Sequence, residues 1–591
     1  MGNPGNLFQP KGPSNTIPEK PPESEINRPE FRTHDDWFQL EGHNSRPGLY
    51  WHTWTKPKGE AEPQPIDEWI CTPIHAEAIT ADDRGESFGL LLRFVNPDGK
   101  WREWAAPMHL LKGSAEELRG ELLNMGVRID QKNRGLLTQW MMARYPEKRI
   151  IAALRTGWHD KSFVLPQRTI GVETIRFQSE YAAHNDFIQS GTLAGWKKRV
   201  AALCKSNPML ILAVSAAFAG PLIKIAKMQE NGGAGIHLIG DSSLGKTTAL
   251  QAAGSVWGSS GFVRTWRATT NGLEATAAAL NDTTLVLDEI SECDPRDIGL
   301  IVYALANGVG KQRASRTGGT RDTARWRIMA LSSGERSLSA HMAEGGKKAK
   351  AGQEARLLDL PATTRAYGLF DELHGQPDGR TFADKLKQAT GEHYGHAGPA
   401  FVEALVNSTK DLPALYSRVC NHPGLTVTDG VESRAAGVFA LLGMAGELAT
   451  EYGVTGWDEG DAMVAAISGF NLWREFRGQG QTETRQILNS ISEFILRNGD
   501  ARFSSIADEK ISVRERAGYW HDSHEGGRVY LFNSPGLKEA GGDYDIRRIL
   551  DALDSSGWIV ERDRDKRSKK KKVAGRSIAL YAILPKDGDV L

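Results

Sequence analysis

Apolar and polar positions along the chain change period block by block. Between residues 35 and 190, short strand-like runs (GLYWHTW, FGLLLRFV, KWREWAAP) are broken by turns of the NPDGK type and followed by a helical stretch around Ala115 to Met125. This block predicts an α+β domain whose aromatics are either strand core or a stacking surface for nucleic acid. From 191 to 395, helix-like and strand-like runs alternate as a parallel α/β domain requires. Inside it, PMLILAVSAAFAGPLI (Pro208 to Ile223) is too short to span a bilayer and is broken by Gly220-Pro221, so it predicts a buried helix. Residues 396 to 480 are helical in period, notably SRAAGVFALLGMAGELATEYG (Ser433 to Gly453), with apolar residues on one face. Residues 481 to 591 give a helix (TRQILNSISEFIL), a second helix (DIRRILDALDSSGWI) and a basic hairpin-like stretch ending in SIALYAIL, an order that predicts a winged helix. Residues 1 to 34, rich in Pro, Gly, Asn and Glu, predict a disordered leader or linker. The fold class is multidomain α/β.

Chemistry concentrates in the second block. HLIGDSSLGKTTALQ (His237 to Gln251) contains Gly240-x-x-x-x-Gly245-Lys246-Thr247, with a strand-like run before it and a helix-compatible run after it. That context is what a P-loop needs. Gly240 and Gly245 permit the tight turn, backbone N–H groups and the helix N-terminus face the phosphates, Lys246 reaches the β- and γ-phosphates, Thr247 ligates Mg²⁺, and Thr248 follows in the first helical turn. About 40 residues on, TTLVLDEI (Thr283 to Ile290) reads as a Walker B strand, in which Asp288 holds the Mg²⁺ shell and Glu289 polarises the attacking water. ATP and Mg²⁺ are the expected cofactors.

GVGKQRASRTGGTRDTARWRIMALSSGE (Gly308 to Glu335) comes next. Two polar runs joined through Gly318-Gly319 predict a β-hairpin carrying Lys311, Arg313, Arg316, Arg321, Arg325 and Arg327 against a single acid, Asp322. A basic hairpin tip there suits a phosphate backbone. The strand it feeds ends in Ser332 and Ser333, either of which could hold the water beside the γ-phosphate. Arg356, in GQEARLLDLPA, stands where ring-forming ATPases place a finger that completes a neighbour's site; the competing expectation is an ion pair with Glu354 or Asp359. ERDRDKRSKKKKVAGR (Glu561 to Arg576) holds nine Lys or Arg against three acids, and Lys569, Lys570, Lys571 and Lys572 fall where a wing would touch DNA.

Lys plus Arg equals Asp plus Glu at 73 each, so any nucleic-acid binding must come from local patches. Four dispersed cysteines with no C-x-x-C pair exclude a disulfide framework and a zinc ribbon, no apolar run reaches 18 residues, and the expected location is cytoplasmic. His393 and His396 in GEHYGH lack convergent partners, so no metal beyond Mg²⁺ is expected.

From FQSEYAAHNDF through GDSSLGKTTAL, LVLDEISECD, the hairpin-to-LSSGE segment and GQEARLLDLPA, the chain resembles the family of domain of unknown function 927, found in prophages and cassette-type mobile elements. Its members resemble MCM-like replicative helicases within the AAA+ ATPases. The resemblance, over most of residues 40 to 480, implies an AAA+ core with a helical lid and a hexameric ring around DNA, with a primase or other replication protein as a further partner. It makes Lys246, Thr247, Asp288 and Glu289 the cis half of a shared site, Ser333 its sensor, Arg356 its finger in trans, and Arg434, in VESRAAGVFAL, the second sensor arginine contacting nucleotide. No MCM-type zinc pairs occur in the first domain and no primase signature is present. The expected function is an ATP-dependent DNA helicase or translocase. An AAA+ regulator that remodels protein partners, and an initiator using ATP as an assembly switch, are the alternatives.

Overall fold

A computed structural model describes residues 26–56, 62–172, 174–180, 186–228, 232–311, 323–347, 351–363, 365–427, 429–477, 482–507, 513–523, 527–542, 544–564, 566–573 and 575–585. The chain forms two compact units, one comprising essentially the residues up to Leu154 with 173–185, the other most of the chain from Arg155 onward.

In the first unit, Gly48–Trp54 lies between Glu30–His34 and Pro65–Cys71 in an antiparallel sheet. A second sheet orders Ile175–Phe177, Arg149–Ala153, Ile74–Ala81, Gly89–Val95 and Trp101–Pro107. Leu49, Ile70, Leu92, Phe94, Trp104 and Trp140 fill the core. The aromatics therefore divide: Tyr50 and Trp104 are core, whereas Trp54 and Trp101 are exposed, Trp101 beneath the Arg93 guanidinium at 4.0 Å. Residues 26–34, expected as part of a leader, are folded. Their edge strand needs backbone pairing more than apolar side chains, and it is held by bonds from Arg28 to both oxygens of Asp67 and by the Phe31–Trp51 ring contact.

The second unit is built on a five-stranded parallel sheet. Helix α1 (Pro208–Ala219) is almost wholly buried, as its composition requires. Strand β1 (Gly233–Ile239) leads into helix α2 (Lys246–Gly254), followed by β2 (Val263–Thr265), β3 (Thr283–Asp288), helix α3 (Ile298–Asn307), β4 (Ile328–Gly334) and β5 (Leu357–Pro361). The strand order is β2-β3-β4-β1-β5. All seven residues of β1 and of β4 are buried, the signature of a sheet covered on both faces. Helix α1 packs against β3, β4 and α2.

Beyond the sheet come α4 (Gly379–Glu392), α5 (Gly430–Glu451) and α6 (Asp461–Arg477). Helix α5 is buried almost all round rather than along one face, because it packs against α1, α6 and the helix Leu412–Cys420 together. One continuous core runs from Trp158 to Trp473, so sheet and helical segment are a single packed body. The remainder comprises α7 (Thr482–Asn498), β6 (Phe503–Ser505), β7 (Gly518–Asp522), β8 (Arg528–Phe532), α8 (Ser534–Ala540), α9 (Ile546–Ser555), β9 (Ile559–Glu561), β10 (Lys569–Val573) and β11 (Arg576–Ile583). It has its own core around Ile491, Phe503, Leu553 and Trp558. Strands β10 and β11 form the expected basic hairpin. Among the described residues, no helix is long and apolar enough to cross a membrane.

One ion pair fixes the entry to β3. Asp282, fully buried and at φ +58°, takes two bonds from the Arg327 guanidinium at 2.5 and 2.9 Å and accepts the Trp158 N–H at 2.9 Å. Arg327, counted among the basic hairpin residues, is thus a structural cation. Asp282→Ala strands that guanidinium, and the expected cost is about 3–5 kcal/mol of stability, measured by denaturant unfolding.

Candidate functional site

Strand β1 ends at Ile239, and the loop from Gly240 to Gly245 turns into α2. Gly245 has φ +91°, and a Cβ there would lie 2.4 Å from the Phe370 ring, so only glycine fits. Lys246, the first residue of α2, is 7% exposed and donates from Nζ to the carbonyls of Gly240 at 2.5 Å and Asp241 at 2.6 Å. Burial holds its ammonium below the usual lysine range, against the opposing pull of Glu289, Glu335 and Asp288.

The carboxylates come from the end of β3. Asp288 accepts the Thr247 hydroxyl at Oδ2 (3.0 Å) and the Ser333 hydroxyl at Oδ1. Glu289 has left-handed backbone, φ +58°, a conformation that costs about 1–3 kcal/mol in a side-chain-bearing residue and concentrates at functional sites. Its N–H donates to Ser333 Oγ at 3.3 Å, and its carboxylate accepts from Ser291 Oγ at 2.6 Å. These groups border a cavity of about 720 Å³, within the range of small-molecule sites, whose lining includes Leu244 to Thr248.

Strand alternation separates the two serines. Ser333 faces Asp288 and Glu289, whereas Ser332 lies on the opposite face, where its Oγ is 2.9 Å from His237 Nδ1 and accepts the Trp266 indole N–H at 2.9 Å. His237 donates from Nε2 to the Arg336 carbonyl at 2.9 Å, leaving Nδ1 to accept from Ser332. Burial lowers its pKa to about 4, so the ring is neutral at physiological pH. The only hint of this relay in the sequence was a histidine inside an otherwise apolar strand. The cavity also carries a wall that sequence reasoning missed, formed by Tyr367, Phe370 and one face of α4 with Arg380, Asp384 and Lys387. Its residues lie more than a hundred positions beyond the P-loop, and no motif marks them.

Other expected residues lie elsewhere. The Arg356 carbonyl accepts the N–H of Gly235 near the start of β1, the end of that strand remote from the P-loop. Its guanidinium donates to the Gly352 carbonyl at 2.8 Å and Asn307 Oδ1 at 3.1 Å and sits over Tyr303 at 4.5 Å. These neutral contacts differ from the acid pairing expected from the sequence, and Arg356 does not line this chain's own cavity. Arg434 lines a separate cavity of about 470 Å³ with Tyr416 and Cys420, to which no P-loop residue of this chain contributes. It begins α5, a helix whose place is fixed by packing on α1 and α6 rather than on α2. Around the expected basic hairpin, Val309 bridges antiparallel to Arg325, and the Gly310 N–H reaches the Ala324 carbonyl at 2.9 Å. Lys311 is exposed there, while Arg313, Arg316 and Arg321 lie outside the described residues. In β10 the lysines also alternate. Lys569 and Lys571 pair with Glu561 at 3.4 and 2.7 Å, whereas Lys570 and Lys572 point away, exposed.

The two serines separate stability from chemistry. Ser332→Ala deprives the buried His237 and Trp266 nitrogens of a partner and is expected to cost about 1–3 kcal/mol in thermal unfolding. Ser333→Ala, whose partner Asp288 keeps the Thr247 hydroxyl, is expected to lower the midpoint by less than Ser332→Ala does.

Residues 38–325 match the family model described as Domain of unknown function (DUF927), which spans the P-loop and β3 and ends before Ser333, Arg356 and Arg434. No curated protein matches. Among solved structures, one titled "SCCmec type IV Cch - active helicase" is similar over 95% of this chain and 98% of its own, with a TM-score of 0.65 at 20% identity, which establishes a shared fold. A structure of NtrX from Brucella abortus in complex with ATP aligns over 47% of this chain and 61% of its own at 14% identity, but its TM-score of 0.17 carries no weight. With P-loop, acidic strand end and hairpin base all inside or bordering the matched span, residues 38–325 carry a domain of the DUF927 family.

Proposed function

We propose that this protein is an ATP-dependent DNA helicase or translocase that works as a ring, in the replication of a mobile genetic element. The observation that carries the reading is the Thr247–Asp288–Ser333 cluster, which joins the P-loop helix, the acidic strand and the following strand at one edge of a nucleotide-sized cavity. The similarity over 95% of this chain to a structure titled an active helicase supports strand separation over protein remodelling. We read the parallel sheet and the helices after it as an AAA+ core with its lid, and residues 481–591 as a winged helix.

In this reading Lys246 exchanges its loop carbonyls for the β- and γ-phosphates, and the left-handed turn at Glu289 aims its carboxylate at the attacking water. Ser333 positions both acids, through Oγ to Asp288 and from the Glu289 N–H. Thr247 and Asp288 present hard oxygen donors 3.0 Å apart, a set that suits Mg²⁺. When bound, the ion neutralises charge developing on the phosphate oxygens. Arg356, remote from its own cavity, would complete the site of a neighbouring subunit. The basic hairpin would grip a DNA strand and move with hydrolysis.

The test is steady-state ATP hydrolysis with and without single-stranded DNA, together with unwinding of a forked duplex. DNA is expected to stimulate turnover, Lys246→Ala to abolish both activities, Glu289→Gln to slow turnover by about 10²–10⁴-fold, and Arg313→Ala to keep basal turnover but lose unwinding. Turnover indifferent to DNA, with no strand displaced, overturns the reading in favour of a protein-remodelling ATPase. A Glu289→Gln protein that keeps its function points to an assembly switch.

The β10 alternation yields a second test. Replacing Lys570 and Lys572 by Ala is expected to weaken duplex binding similarly for all sequences and to reduce the slope of log K against log salt by about one per lost phosphate contact. Replacing Lys569 and Lys571 instead leaves Glu561 with His521 as its remaining partner and is expected to act on the stability of the C-terminal module.

A further inference from the structure

Resting on the nucleotide-site reading, we propose that Arg380 and Lys387 of α4 are phosphate-binding residues of the same cavity and favour a nucleoside triphosphate over the diphosphate. Positions 380, 384 and 387 recur at i, i+4 and i+7, so one face of α4 turns all three toward the cavity. The helix is held to the P-loop by apolar contacts. Phe382 is buried against Phe370, ring centroids 4.9 Å apart, and the Phe370 ring occupies the space that a side chain on Gly245 would need. The Leu369 N–H donates to the Leu244 carbonyl at 2.9 Å, tying the segment before α4 to the loop itself.

Charge gives the wall its purpose. Across the cavity, Lys246 alone faces Asp288, Glu289 and Glu335. A triphosphate with its bound cation is still an anion, and this acidic edge repels it. Arg380 and Lys387 outnumber Asp384 by one charge. Both are exposed and no salt bridge within 4 Å joins either to a described residue; Arg380 lies close enough to the N-cap carboxylate Asp378 to help hold it ionised, so Lys387 is the cation with less competition for a ligand. Each added phosphate adds charge for them to meet, and their contribution grows from diphosphate to triphosphate.

The test is equilibrium binding of ATP and of ADP, each with Mg²⁺, to the full chain in a Glu289→Gln background that spares the ATP. Arg380→Ala with Lys387→Ala is expected to weaken ATP binding roughly tenfold or more and ADP binding by clearly less, with an unchanged melting temperature, and Arg380→Lys is expected to restore part of the loss. Equal weakening for both nucleotides, which marks contact with base or ribose, overturns the proposal, as does no weakening. Lys246→Ala serves as the separate control. If it leaves both nucleotides bound, the nucleotide-site reading itself falls; if it abolishes binding while the α4 variants change nothing, only the present proposal does.

Discussion

Asp288 is the hinge on which the cavity edge depends. Its two oxygens take hydroxyl donors from different elements, Thr247 at the start of α2 and Ser333 on β4. Three segments far apart in sequence are thereby drawn to one point. The sheet makes this possible, because β3 and β1 both flank β4 in parallel register and their C-terminal ends emerge side by side. Loops at that end of a parallel sheet are where such folds place ligands. The same register carries the Arg356 backbone to the other end of β1.

The surroundings of the edge are unusually dry for so polar a set of side chains. His237 and Ser332 are fully buried behind it, as is Asp282 at the opposite end of β3, and each has a hydrogen-bond partner that the fold supplies. Burial without such partners would cost each group several kcal/mol. The relay from Trp266 through Ser332 and His237 to the Arg336 carbonyl pins the loop that also brings Glu335 to the cavity. The acidic edge is therefore rigid from beneath as well as from the side.

Local chemistry was legible in the sequence and register was not. The P-loop and the acidic strand end could be read because glycine, lysine and threonine at fixed spacing, and a short apolar run ending in two acids, each act within one turn. Choosing between Ser332 and Ser333 required knowing which face of β4 meets Asp288, which spacing alone does not give. The strand Glu30–His34 hid behind a proline-rich composition, because edge pairing asks little of side chains. Helix α5 suggested one apolar face and is buried all round, since alanine and glycine pack as well against three neighbours as against one. Arg434 and the α4 wall depend on where distant helices dock, and no local signal records that.

The alternation along β4 also limits how this chain can change in length. Adding or deleting one residue within Ile328–Gly334, ahead of the serines, would turn Ser332 toward the acids and Ser333 away from them, breaking both the relay to His237 and the bond to Asp288. The strand is therefore fixed in length to the residue, because its alternate positions serve the buried relay on one face and the acidic cavity edge on the other.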